Sequence, residues 1–254
     1  MGQNKKILLL AANGESSRWV YNALKKDFAF TKVIVETPVS KKYLFKRRIK
    51  KIGLVKTLGQ ALFSVLAVPV LRSKAKKRKA AIIEQYKLDN SPFDESTTAF
   101  VPSVNDESCF LLLKQIMPDI VVVNGTRIIQ RKILAAFPDT IFINTHVGIT
   151  PAYRGSHGGY WALYNKDAAN FGTTIHLIDA GIDTGEVLQY VFIMPDKKDN
   201  FTTYPVLQVA AGIAGLKSVL QRVIDGNYIP QKNTAPGNMY YQPTLWQYLM
   251  NSTK

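Results

Sequence analysis

The stretch INTHVGITPAYRG, residues 143–155, sets a carboxamide and an imidazole two positions apart at the end of an apolar run. Side chains on a strand alternate faces, so Phe142, Asn144 and His146 share one side and the two polar groups emerge together at the strand exit. Gly148, Pro151 and Gly155 then turn the chain. A carboxamide donates hydrogen bonds, and an imidazole titrating near neutrality takes up or releases a proton. A second polar cluster, IDAGIDTGEV (178–187), places Asp183 in a glycine-flanked loop between two apolar runs. Such a loop can return a carboxylate to the same edge. Each piece has a bland reading: an isolated Asn-X-His is usually structural, and Asp-Thr-Gly is usually a turn.

The elements that must position these groups follow from the periodicity. Short apolar runs at 5–12, 32–38, 97–104, 119–125, 140–146, 173–179 and 186–194 read as strands. Between them, 16–26, 107–117, 131–137 and 157–165 read as helices, with serine available to cap the first and Pro118 ending the second. The longest helix spans 206–226 and is closed by Gly226. This alternation predicts an α/β fold, Rossmann-like, with a mostly parallel sheet and helices on its faces. Ligands in such folds gather at the carboxyl ends of the strands, which directs attention to the loops after residues 12, 123 and 146.

Taken together, the residues resemble the folate-dependent formyltransferases, a family that includes glycinamide ribonucleotide, methionyl-tRNA and nucleotide-sugar enzymes. The resemblance rests on Asn144, His146, Pro151, Arg154, Gly155 and Asp183. It covers 119–195 well and 5–37 weakly, and it does not reach 41–90. Gly148-Ile149-Thr150 stands where the family often has Ser-Leu-Leu. The resemblance implies formyl transfer from 10-formyltetrahydrofolate to an amine through a tetrahedral intermediate, without a metal. It assigns catalysis to Asn144, His146 and Asp183. Asn144 and His146 would donate to the oxyanion, where one donor is worth ~3–4 kcal/mol. His146 would also move a proton from the amine to the departing folate nitrogen. Asp183 would favour and orient the charged imidazole. The folate is expected against Asn124, Gly125, Arg127, Ile128 and Ile129, with backbone groups meeting the pterin edge. Gly14, Ser16, Arg154 and His176 are expected near the substrate. His176 equally suits a local structural bond, and His157 suits a structural or capping place.

The chain has 254 residues and a net charge of +15. Residues 41–79 hold fourteen Lys and Arg and no Asp or Glu, which leaves the remainder near neutral. The expected organisation is a catalytic domain over 1–205 with a basic helical insertion at about 40–90, then a C-terminal helix and aromatic tail over 206–254. Inside the insertion, TLGQALFSVLAVPVL (57–71) is uncharged and interrupted by Pro69. Three readings stand for this segment: a helical hairpin packed on the core, an interfacial helix on anionic lipid, or a tRNA contact. The tail (233–250) is too short for the separate β-barrel of the tRNA enzymes. A nucleotide-linked amino sugar is therefore the expected acceptor, with methionyl-tRNA, glycinamide ribonucleotide, donor hydrolysis or a non-catalytic binding role as alternatives. The tail's aromatics suit a homodimer contact or a cap on the sheet. One cysteine, Cys109, fits a reducing compartment, and the N-terminal apolar run is a strand rather than a leader. Met1-Gly2 opens a myristoylation-like pattern, but Lys6 stands where Ser or Thr is required. The expected location is cytoplasmic, with at most a peripheral contact on the inner membrane face.

Overall fold

The computed structural model describes residues 5–232 and 234–252; the Met1-Gly2 start lies outside them. Seven strands form the main sheet: β1 (Ile7–Ala12), β2 (Phe30–Glu36), β3 (Thr98–Val101), β4 (Ile120–Asn124), β5 (Ile141–His146), β7 (Gly172–Leu177) and β8 (Val187–Phe192). Their order is β3-β2-β1-β4-β5-β7-β8. The first five run parallel, and β7 and β8 run antiparallel. The strand order reverses between β1 and β4, the place where such sheets open a crevice.

The sheet is buried on both faces, which is why its strands read as continuous apolar runs. On one face Leu9, Val35, Val122 and Ile143 pack with α1 (Glu15–Leu24) and α9 (Tyr204–Ile224). On the other, Leu8, Leu10, Val121 and Phe142 pack with α6 (Glu107–Ile116) and α7 (Arg131–Ala136). Each fully buried Leu or Ile contributes ~1.5–3 kcal/mol. Burial pushes the Cys109 thiol up to about 12, so this side chain on α6 is inert packing.

Helix ends follow local chemistry. Asp106 caps α6 by accepting from Ser108 N–H, and Met117 closes it in the left-handed region before Pro118. The first helix departs from expectation: Gly14, not a serine, is its N-cap, and no side chain caps it. Ser17 is buried instead and donates to Asn124 Oδ1 at 3.1 Å, tying α1 to β4.

The basic segment is largely helical: α2 (Lys41–Ile52), α3 (Leu54–Leu62), a π turn (Phe63–Ala67), α4 (Val68–Lys74) and α5 (Lys76–Gln85). Pro69 does not break it. The wide turn ahead lets Val68 N–H donate to Phe63 O, so the proline falls in the first turn of α4 where no N–H is needed. Phe63 is fully buried and meets Phe201 edge-on at 4.8 Å and Tyr248 of α10 (Leu245–Ser252) at 5.1 Å. Two elements absent from the sequence reading are short: β6 (Tyr153–Gly155) and β9 (Asn238–Tyr240), which pair as a parallel ribbon.

Arg78 on α5 fastens the basic segment to the Asp199 loop. Its Nε and Nη2 each donate to the Asp199 carboxylate at 2.9 Å. Burial pushes the Asp199 carboxyl up, but Arg78 and the Asp196 amide outweigh it and hold the group below its usual value. Arg78→Met is expected to destabilise the protein by about 2 kcal/mol, less than for a fully buried pair because Arg78 keeps contact with water. A carboxylate lowered on folding stabilises above its unfolded pKa of about 3.9, and that contribution disappears as the pH falls through the lowered value. Denaturant melts should therefore show the full gap to wild type at neutral pH and a narrowing gap in acid.

Candidate active site

Strand β5 delivers Asn144 and His146 to the carboxyl edge of the sheet, and the antiparallel partner β7 sets His176 directly opposite Asn144. Asn144 Nδ2 lies 3.2 Å from His176 Nε2. His176 Nδ1 donates to Leu177 O at 2.7 Å. With Nδ1–H used there, Nε2 of the neutral ring accepts from the carboxamide. Burial pushes the His176 pKa down, which keeps the ring in that neutral form. A bulge in the β7–β8 pairing falls between Ile175 and His176. Bulges beside sites re-aim side chains in this way. His176 is thereby a positioning group: it fixes one N–H of Asn144 and leaves the other available.

His146 is buried, and both its nitrogens face acceptors. Nε2 donates to Tyr153 O at 2.9 Å, and Nδ1 stands 3.4 Å from Asp183 Oδ2. Asp183 Oδ2 also accepts the Gly155 N–H at 2.9 Å, and its Oδ1 is 3.8 Å from His176 Nε2. Asp183 sits at φ 51°, in the left-handed region that Asp tolerates better than bulkier residues. The three groups expected to act together therefore line one cleft, with Asp183 in ion-pair range of both histidines and Asn144 bonded to His176. The uncommitted donor, however, belongs to the Asn144 carboxamide, because the imidazole is held between Tyr153 and Asp183.

Gly148 is fixed by crowding. A Cβ there would stand 2.5 Å from Tyr153 O and 2.7 Å from His146 Nε2. Gly148→Ala is expected to cost about 1–3 kcal/mol of stability through such overpacking. Because the displaced atoms include the His146 bond, kcat should fall at least about tenfold as well. Thermal melts and steady-state rates check both.

Asn144, His146, His176 and Asp183 line a cleft of 260 Å³ whose other wall is formed by Val123, the segment 125–129, Ile178 and Ile182. Apolar walls with a few convergent polar groups fit a flat heteroaromatic ring. Gly125, Ile128 and Ile129 are on this wall. Of the other two expected contacts, Arg127 also lines the cleft and Asn124 does not. Asn124 points to Ser17 and is absent from the lining. Arg127 is tied down: its N–H donates to Glu36 Oε1 and its Nη1 to Glu36 Oε2, each at 2.6 Å, while Nη2 reaches Thr37 O at 3.0 Å. Ile128 O accepts from Asn105 Nδ2 at 2.9 Å. Arg127 thus braces the loop while lining the cleft. Glu36 and Asn105, which hold that loop, escaped the sequence reading; the signal was an acid ending the apolar strand β2.

Gly14 and Ser16 lie at the start of α1 and do not line the cleft. Glu15, in the first turn of that helix, pairs with Lys79 of the insertion. Arg154 is beside the cleft on β6 but turns away, with Nη2 donating to Gly237 O at 3.1 Å. His157 occupies the N-cap position of α8 (Gly158–Tyr164) without capping it; its ring packs on Phe201 at 4.4 Å, and burial, aided by nearby Arg48, lowers its pKa to about 4.

An open α/β sheet with a polar cluster at this edge defines a class, and the sequence places the chain within it. The family model described as formyl transferase matches residues 54–204, more than half of the protein, and the chain belongs to that family. Among curated relatives, the methionyl-tRNA formyltransferase of Finegoldia magna is 41% identical over 87 residues, 34% of this chain and 27% of that protein. The matched part spans between 27% and 50% of the length of relatives of this kind. In fold, the chain is similar to a sugar N-formyltransferase from a Shewanella species, with a TM-score of 0.56 and 16% identity over 92% of this chain and 76% of that one. It is equally similar to an N-formyltransferase from Helicobacter canadensis, with a TM-score of 0.56 and 16% identity over 92% of this chain and 70% of that one.

Proposed function

We propose that the protein transfers a formyl group from 10-formyltetrahydrofolate to the amine of a nucleotide-linked amino sugar. The observation that carries the reaction class is the convergence of Asn144, His146 and Asp183 on one cleft with an apolar opposite wall. The folate supplies an activated formyl carbon, and Ile128, Ile129 and the 125–129 backbone would hold its ring. As the amine forms its C–N bond to that carbon, the formyl oxygen gains negative charge. The Asn144 N–H not given to His176 meets that charge, in a part-buried setting where it counts for more than in water. The bond from carbon to the folate nitrogen then breaks, and the proton lost by the amine ends on that nitrogen. Both imidazole nitrogens of His146 are engaged, so the Asp183 carboxylate on the cleft wall takes the proton up and releases it to the folate nitrogen, with His146 Nδ1 at 3.4 Å orienting that carboxylate.

The sugar acceptor is supported by the Helicobacter canadensis protein, whose structure contains folinic acid and dTDP-3-aminofucose. A phosphate on the α1 N-terminus, as a glycinamide ribonucleotide would require at Gly14 and Ser16, is disfavoured because Glu15 already places a carboxylate there. Methionyl-tRNA is the second reading, favoured by the names of the sequence relatives. One experiment separates them. The protein is incubated with 10-formyltetrahydrofolate and a panel of nucleotide amino sugars, methionyl-tRNA or glycinamide ribonucleotide. Mass spectrometry then detects the acceptor that gains one carbonyl. Formylation of methionyl-tRNA alone would replace the sugar reading, and tetrahydrofolate release with no acceptor modified would replace transfer with hydrolysis.

A further inference from the structure

Surface helices normally present a polar outer face to water. The helical run from Leu54 to Lys74 does not. Its inner face is packed, through Thr57, Gln60 and the fully buried Phe63, on the aromatic cluster of the core. Its outer face carries Val55, Leu58, Leu62, Val65, Leu66 and Val70, each about half or more exposed, with Val55 and Val65 at 70%. Trp246 on α10 packs its ring over Gly59 yet keeps 40% of its surface exposed, and Leu249 beside it is 52% exposed. The result is a continuous apolar strip from Val55 to Val70, ~23 Å long at the helical rise, larger in character than the scattered apolar residues of ordinary surfaces.

The strip has cationic flanks. The preceding α2 bears Lys41, Lys42, Lys46, Arg47, Arg48, Lys50 and Lys51, all exposed. Beyond the strip come Arg72, Lys74, Lys76 and Lys77, also exposed. No Asp or Glu occurs from 41 to 79. Of the cations in that range, only Arg78 and Lys79 form ion pairs among the described residues, with Asp199 and Glu15.

We infer that this face docks on an anionic phospholipid bilayer, with the 54–74 helix lying in the interface and the lysines of α2 and α5 in the headgroup layer. An apolar row flanked by one sign of charge matches a membrane surface, where the acyl boundary takes the row and the anionic headgroups take the cations. A nucleic acid has use for the cations but none for a row of valine and leucine. A second copy of the chain would set like-charged flanks against each other. The helix is long and apolar enough to cross a bilayer, but its inner face is fastened to the domain. Gln60 Nε2 donates to Gln242 O, and Phe63 fills the core between Phe201 and Tyr248. Crossing would empty that cluster, whereas lying flat leaves it intact. The inference is independent of which acceptor is formylated.

The test uses the full chain and vesicle flotation. The protein should float with vesicles of phosphatidylcholine containing phosphatidylglycerol, remain in solution with phosphatidylcholine alone, and detach as salt rises. Lys46→Glu with Lys50→Glu should lower partitioning about 25-fold or more, at about fivefold for each cation removed from the surface. Leu58→Asp with Val65→Asp should abolish flotation without changing the melting temperature, since both side chains are exposed. Wild type provides a second readout that needs no variant. Trp19 and Trp161 are buried, so quenching of emission by brominated lipid reports on Trp246. Quenching together with flotation supports docking. Absence of flotation with either vesicle, unquenched emission, or flotation indifferent to the two aspartates overturns it. So does a dimer that the aspartates dissociate, or RNA binding without vesicle binding.

Discussion

Asp183→Asn is expected to lower kcat for formyl transfer about 10³–10⁴-fold, the scale on which a carboxylate holding a catalytic imidazole acts. The substitution keeps the shape. Asparagine tolerates the left-handed backbone at φ 51° and can still accept the Gly155 N–H through its amide oxygen. What it removes is the negative charge 3.4 Å from His146 Nδ1 and 3.8 Å from His176 Nε2. The cluster loses the carboxylate that takes up the transferred proton beside His146. Binding of the folate should change little, because Asp183 meets the two histidines rather than the apolar wall. Rapid-quench rates and donor affinity measured together decide it. A kcat within tenfold of wild type would remove Asp183 from the reaction. Combining Asp183→Asn with His146→Ala should cost little more than either alone, since groups that act as one unit are not additive.

Asn144→Ala is expected to lower kcat about 10²–10³-fold, the loss associated with one preorganised oxyanion donor. The side chain is held by His176 from across the strand pair, so the free N–H costs no reorganisation when charge develops. KM for the donor should remain near wild type, because the donor acts on charge that appears only during reaction. His176→Gln separates positioning from direct action. Glutamine can still accept from Asn144 but loses the Leu177 anchor, and a decrease of about tenfold is expected. If His176→Gln proves as damaging as Asn144→Ala, the direct role passes to the histidine.

Several features were legible in the chain itself. The apolar runs at 7–12 and 120–123 read as doubly covered strands, and the apolar start of 141–146 extends the same pattern to β5. The two-residue spacing of Asn144 and His146 obliged them to leave β5 together. Other features depended on partners distant in sequence. Serine's capping habit made Ser16 or Ser17 a reasonable N-cap for α1, yet Ser17 found Asn124, 107 residues away. Asn124 looked available to a ligand, but its Oδ1 accepts from Ser17, and Arg127, though on the cleft wall, gives its N–H and Nη1 to Glu36. Pro69 read as a break because its local cost is plain, whereas the π turn that relieves it is a compromise with Phe63 packing in the core.

The sequence by itself determined the alternation of strands and helices, the polar triad's residue types and the concentration of charge in 41–79, because these depend on local periodicity and composition. Tertiary structure alone decided that His176 stands opposite Asn144, that Tyr153 and Asp183 hold His146 from its two sides, and that a row of valines and leucines faces outward. Strand register, loop return and helix rotation are fixed by burial summed over the whole core, and no window of neighbouring residues contains that sum.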